Sequence, residues 1–128
     1  MDLPWKSLAP VDKGREYLVL LSYLPLNTYR KIPRFFQFSF QIHRQLRESP
    51  GAIGYSMRAK LRSRQFWTLS AWEDERSLMD FVTKVPHGEV IRALSAHMGP
   101  TKFTQWKILG SAIPPKWEEA TRRMSQES

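Results

Sequence analysis

The segment at residues 64–98, RQFWTLSAWEDERSLMDFVTKVPHGEVIRALSAHM, constrains the fold more than any other part of the chain. A strand, a helix start and a further helical stretch follow one another there without a gap. Side chains in a strand alternate between faces, so Phe66, Thr68, Ser70 and Trp72 share one face and Trp67, Leu69 and Ala71 the other. Both faces carry aromatic or aliphatic bulk, which places this strand in the middle of a sheet. Asp74 stands where a helix cap is needed. Leu78, Phe81, Val82 and Val85 then repeat at helical offsets and give the helix one apolar stripe to lay on that sheet.

The same logic extends along the chain. Residues 16–24 (EYLVLLSYL) form a first, well-buried strand, ended by Pro25 and Asn27. A helix is predicted over about residues 33–48, with Phe35, Phe38, Ile42 and Leu46 in line and Phe36, Phe40 and His43 widening that line. Ser49, Pro50 and Gly51 stop it. Residues 52–61 alternate as a second strand, with Ile53, Tyr55, Met57, Ala59 and Leu61 opposed to Gly54, Ser56, Arg58 and Lys60. After the strand and helix described above, Pro86 breaks the pattern and a helical segment runs from His87 to about His97. Residues 102–109 (KFTQWKIL) make the fourth strand. Trp117, Ala120, Thr121 and Met124 fall on one face of a short final helix.

Two strand-helix-strand units of this size predict an α+β, ferredoxin-like βαββαβ fold: a four-stranded antiparallel sheet with helices on one face. A chain of 128 residues forms one such domain, at residues 16–110, between an extended segment at 1–15 and a tail at 111–128 that carries the final helix. Aromatic and aliphatic residues on both strand faces leave a second apolar face to cover. The simplest cover is another copy of the chain, so a homodimer is expected, with the tail helix clasping the partner.

Composition narrows the functional classes. There is no cysteine, so disulfides and thiolate chemistry are excluded. The opening residues carry prolines and charges where a signal peptide needs an unbroken apolar core, and no run approaches a membrane span. A soluble, cytoplasmic protein without a membrane partner is the expectation. The formal charge of +8 is spread over short clusters such as Arg30-Lys31-Arg34 and Arg58-Lys60-Arg62-Arg64, which reads as a solvated basic surface. RNA-recognition domains share this element order, but RSRQFWTLSAW lacks their glycine and aromatic spacing, so a nucleic-acid partner is disfavoured. His43, His87 and His97 are the only histidines, and the last two are too far apart along a helix to share an ion; no metal site is expected.

With these elements in place, FWTLSAWEDERSLMDFV, then PHGEVIRALSAHM, then FTQWKI resembles the antibiotic biosynthesis monooxygenase-like proteins of the dimeric α/β-barrel superfamily. The resemblance spans about residues 16–109 and implies a dimer with a cavity between sheet and helices in each protomer. In the cofactor-independent oxygenases of that superfamily, it implies an electron-rich phenol or quinol held against aromatic walls, with polar side chains assisting proton removal. In the haem-degrading branch, alignment places Phe81 at the characteristic tryptophan and Ile91 at the histidine, and the first strand has no asparagine. That chemistry is disfavoured. No cofactor is implied by the residues themselves, with haem and flavin left open.

Within this frame the candidate catalytic residues are His87, at the start of an apolar helical line, as general base, and Arg58 as a fixed positive charge for an enolate or phenolate oxygen. Candidate substrate contacts are Trp72, Trp67, Phe81, Ile91, Tyr55, Phe38 and His43. Trp67 and Trp72 have opposite parity, so only one of them lines a given pocket. Two readings stay open: a monooxygenase-like protein acting on a small aromatic metabolite, and a non-catalytic dimeric binding module.

Overall fold

The computed structural model describes residues 2–83, 99 and 101–127. The fold is α+β, built on a five-stranded antiparallel sheet in the order β1-β3-β4-β2-β5. Its strands are β1 (Lys6–Ser7), β2 (Glu16–Pro25), β3 (Ala52–Lys60), β4 (Gln65–Trp72) and β5 (Lys102–Leu109). The helices are α1 (Ile32–Arg47), α2 (Glu75–Thr83) and α3 (Trp117–Glu127). The four long strands and the ferredoxin-like order agree with the pattern in the sequence. The two-residue β1 is an addition: backbone pairing of Lys6 with Tyr55 and Ser7 with Gly54 ties the N-terminal segment to the sheet edge.

Local chemistry explains the joints. Asp74 caps α2, its carboxylate accepting from the Ser77 backbone N–H at 2.8 Å, and that bond is the main cause of a carboxyl pKa below the usual value. Between α1 and β3, Gly51 has φ +84°, and a Cβ there would lie 2.1 Å from the Ser77 hydroxyl oxygen. Only glycine combines that left-handed backbone with so close an approach of α2.

Each sheet face carries its own apolar layer. On the inner face, under α1 and α2, Leu18, Trp72, Leu78 and Phe81 form one cluster, and Phe35, Met57, Ala59 and Phe66 another. On the outer face, Tyr17, Val19, Leu21, Leu69, Ala71 and Trp106 pack with Ala120 and Met124 of α3 and with Trp5 of the N-terminal segment. The chain's own two ends lie on this outer face, where α3 packs on its own sheet.

Two side chains depart from the sequence pattern. A register shift between Ala52 and Gly54 bulges β3, so Ile53 joins the outer cluster while Tyr55, Met57 and Ala59 stay with the inner one. Strict alternation puts Ile53 on the Tyr55 side, and an extra residue in the strand is what overrides it. Phe40 does not widen the buried line of α1; it is 69% exposed.

Candidate functional site

The described residues leave the inner face incompletely filled. Between sheet and helices lies a cavity of about 380 Å³, within the size range of small-molecule sites. Strand register builds its floor. Ser70 of β4 sits between Leu20 of β2 and Tyr55 of β3, and Leu20 in turn pairs with Gln105 of β5; one step along, Thr68 pairs with Ser22, which neighbours Phe103. Phe38, Ser39, Ile42 and His43 of α1 and Leu78, Met79, Phe81 and Val82 of α2 form the opposite wall. Within each strand the residues named here share one parity, and the register aligns them across strands, which is why one face of the sheet collects them.

Among the described residues, His43 is the titratable group best placed for chemistry. Its imidazole stacks on the Tyr55 ring at 4.5 Å between centroids, tilted by 34°. Burial, followed by the repulsion of Arg47 one helical turn away, lowers its pKa below the ordinary 6.5. The ring is therefore neutral near pH 7, with one nitrogen free to accept a proton. Trp72, 1% exposed, presents its indole to the cavity in a fixed orientation, because its Nε1–H donates to the Ser70 hydroxyl at 2.9 Å. The Ser70 hydroxyl keeps its own proton to donate to a guest. Phe81 packs on Trp72 with centroids 5.1 Å apart, and the Gln45 side-chain amide donates to the Phe81 carbonyl at 3.1 Å, holding α1 to α2 beside the site.

Among the described residues, no Asp, Glu, Lys or Arg lines this cavity. The guest that such walls favour is uncharged and largely apolar, with a few hydrogen-bonding atoms to meet Ser22, Thr68, Ser70 and Gln105.

The structure thus brings Trp72, Phe81, Tyr55, Phe38 and His43 together around one space. Trp67 and Arg58 lie on the other face. The Arg58 guanidinium pairs with Asp2, at 2.8 Å and 3.0 Å, and stands 4.7 Å over the Trp117 ring, so it cannot supply charge to a guest in the cavity. His87 and Ile91 lie outside the described residues. The neutral polar residues of the floor were missed in the sequence. The available signal was a serine or threonine interrupting an apolar alternation, as Ser22 does in EYLVLLSYL.

No protein-family model and no curated protein matches the chain. Solved structures do. A crystal structure of an antibiotic biosynthesis monooxygenase superposes with a TM-score of 0.64 at 12% identity, over 70% of this chain and 95% of that one. The fold is that of the antibiotic biosynthesis monooxygenase-like proteins. A variant of SnoaB, a cofactor-independent oxygenase from Streptomyces nogalater, shares it at a TM-score of 0.57 and 12% identity, over 70% and 90% of the two chains. A conserved protein from Methanosarcina mazei Go1 gives 0.64 at 17% identity, again over 70% and 90%. At such identities the likeness establishes a monooxygenase-like fold and leaves chemistry to the residues of this chain. Among the described residues no helix is long and apolar enough to cross a membrane, and no group of three or more His, Asp or Glu is placed to hold a metal ion.

Proposed function

We propose that the cavity binds a small, uncharged aromatic metabolite of the quinol or anthrone class and that His43 removes a proton from it. The observation that carries this reading is the neutral imidazole of His43 stacked on Tyr55 at the wall of an apolar cavity. An aromatic guest stacks against Trp72 and Phe81, and its hydroxyl or carbonyl oxygens meet the serine and threonine hydroxyls of the floor. Loss of a proton to His43 leaves an electron-rich enolate or phenolate, which the apolar walls shield from water.

Such an anion reacts with dioxygen directly. For an anthrone, one atom of dioxygen ends as the new ring carbonyl and the other leaves as water, together with the two hydrogens lost from the ring carbon. The outcome is a quinone, with no external reductant consumed. This is oxygenase chemistry of the kind named for SnoaB, carried to this chain on the fold and on the residues of its own cavity.

The test is oxygen uptake by the purified protein with a panel of anthrones and quinols, together with quinone formation followed by absorbance. Substrate-dependent uptake in the wild type that falls at least tenfold in His43→Gln supports the reading. Binding without turnover would reassign the cavity to a non-catalytic carrier of the same metabolites. Neither binding nor turnover would remove the proposal.

A further inference from the structure

Two turns that are far apart in sequence form one tip of the molecule, and that tip is basic. β2 ends at Pro25 and leads into a 3-10 turn at Tyr29–Lys31, while another at Leu61–Ser63 joins β3 to β4. The Leu26 backbone N–H donates to the Arg64 carbonyl at 2.9 Å, and the Arg64 side chain returns the bond, its Nε–H donating to the Leu26 carbonyl at 3.2 Å. Arg64 takes a left-handed backbone, with φ 56°, and lays its guanidinium 4.7 Å over the Tyr29 ring. The Tyr29 hydroxyl donates in turn to the Arg62 carbonyl. Two basic clusters, Arg30-Lys31-Arg34 and Lys60-Arg62-Arg64, are thereby held side by side.

Between Glu16 and Glu73 the chain has a single acid, Glu48, which stands at the C-terminal cap of α1. Among the described residues, none of the six cations of the tip has an acidic partner. Like charges gathered in this way make a local positive field. Apolar groups share the tip: Tyr29 is 54% exposed and Leu61 44%. Behind them lies the cluster of Leu26, Phe35, Met57, Ala59 and Phe66, on which Leu24 and Phe38 pack. Leu24, Phe35 and Phe38 also line the cavity, so the cluster connects the tip to it.

We propose that this tip docks the protein on an anionic lipid surface without spanning it. The arginine and lysine heads meet the phosphate and carboxylate groups of the lipids, and Tyr29 and Leu61 enter the interface beside them. A nucleic acid fits less well, because Arg64 already covers one face of the Tyr29 ring and Leu61 offers no plane on which a base stacks. A small, uncharged, apolar guest partitions into a bilayer, so docking brings the cavity to where its guest is concentrated. That delivery rests on the functional reading given above; docking does not, and its test uses no guest, so the two fail separately.

The test is co-sedimentation of the full chain with phosphatidylcholine vesicles containing about 30% phosphatidylserine, against vesicles of phosphatidylcholine alone. The wild type is expected to bind the anionic vesicles about tenfold or more tighter, and to lose about tenfold or more between about 50 mM and about 500 mM salt. Arg62→Glu is expected to bind them about tenfold or more weakly than the wild type, and Leu61→Ser about threefold more weakly. Lys13→Glu makes the same charge change at the opposite end of β2 and should lose less than about twofold. Circular dichroism checks folding, and Arg30→Glu decides should Arg62→Glu fail to fold. Equal binding to the two kinds of vesicle, or equal losses in Arg62→Glu and Lys13→Glu, would overturn the proposal. Release from anionic vesicles by a single-stranded oligonucleotide at matched phosphate concentration would assign the tip to nucleic acid and overturn it too.

Discussion

The two faces of the sheet are made from the same strands and are almost equally apolar, yet among the described residues the inner one holds a cavity while the outer one is packed by the chain's two ends. On the outer face, side chains of unequal size interlock: Trp5 lies against Gly54, where even a Cβ would meet its ring at 2.4 Å, and Ala120 leaves room for its neighbours. Cations then close the rim by stacking on Trp67, Trp106 and Trp117. On the inner face, Ser22, Thr68 and Ser70 stand where larger apolar residues would have filled the space. The difference teaches that bulk alone does not decide which face keeps a cavity. Short neutral polar side chains under a helical roof do, because they leave volume and hydrogen-bonding capacity together.

Neighbouring residues on β2 should separate the two faces most sharply. Leu21, fully buried in the outer layer, is expected to cost about 3 kcal/mol on replacement by alanine, measured by urea denaturation. Leu20, one residue earlier and lining the cavity, already lacks partners on one side, and its replacement should cost nearer about 1 kcal/mol. Equal costs would mean that the cavity is tightly packed after all.

His43→Gln should do the reverse of Leu21→Ala. Turnover of an anthrone or quinol is expected to fall by about a hundredfold, or about 2.7 kcal/mol in transition-state stabilisation, with little loss of stability near neutral pH. A variant that unfolds as readily as Leu21→Ala would place His43 in the packing and not in the chemistry.

The pH dependence sharpens the same point. Because the folded pKa of His43 is held below the unfolded value of 6.5, the unfolded chain binds a proton in a range where the folded chain does not. Stability therefore falls as pH drops from 6.5 toward the depressed folded value, and levels off below it. Urea midpoints at about pH 7 and about pH 5 should differ less in His43→Gln than in the wild type.

The smallest effect belongs to the outer rim. Arg58→Lys loses the planar stack on Trp117 and the two-point pair with Asp2, yet both partners are substantially solvated, so the loss of stability should stay below about 1 kcal/mol. Oxygen uptake should not change, since Arg58 stands on the far side of the sheet from the cavity.

Much of this architecture was legible in the sequence because period-two and period-3.6 patterns are local. The alternation of RQFWTLSAW, the cap at Asp74 and the stop at Gly51 are each set by a few neighbouring residues. The cavity walls are partly legible: Trp72, Tyr55, Phe38, Phe81 and His43 are ring-bearing candidates in the sequence and line the cavity. Parity separated Trp67 from Trp72 without saying which face the helices cover. That choice depends on chain ends far away in sequence, where Trp5, Ala120 and Met124 settle on one side and leave the other to α1 and α2. The reach of Arg58 to Asp2 and Trp117 is likewise a long-range arrangement, invisible to any window of neighbouring residues. The place of α3 on its own sheet is long-range in the same way, since the pattern of Trp117, Ala120, Thr121 and Met124 shows an apolar helix face without showing what it packs on.

The most direct test of where function resides is a nuclear magnetic resonance titration of isotope-labelled protein with a soluble anthrone or quinol, held under nitrogen. Shifts concentrated at His43, Tyr55, Ser70 and the Trp72 indole, with Trp67, Trp106 and Trp117 unmoved, are the predicted result. Shifts confined to the outer-face tryptophans, or none at ligand saturation, would contradict the account.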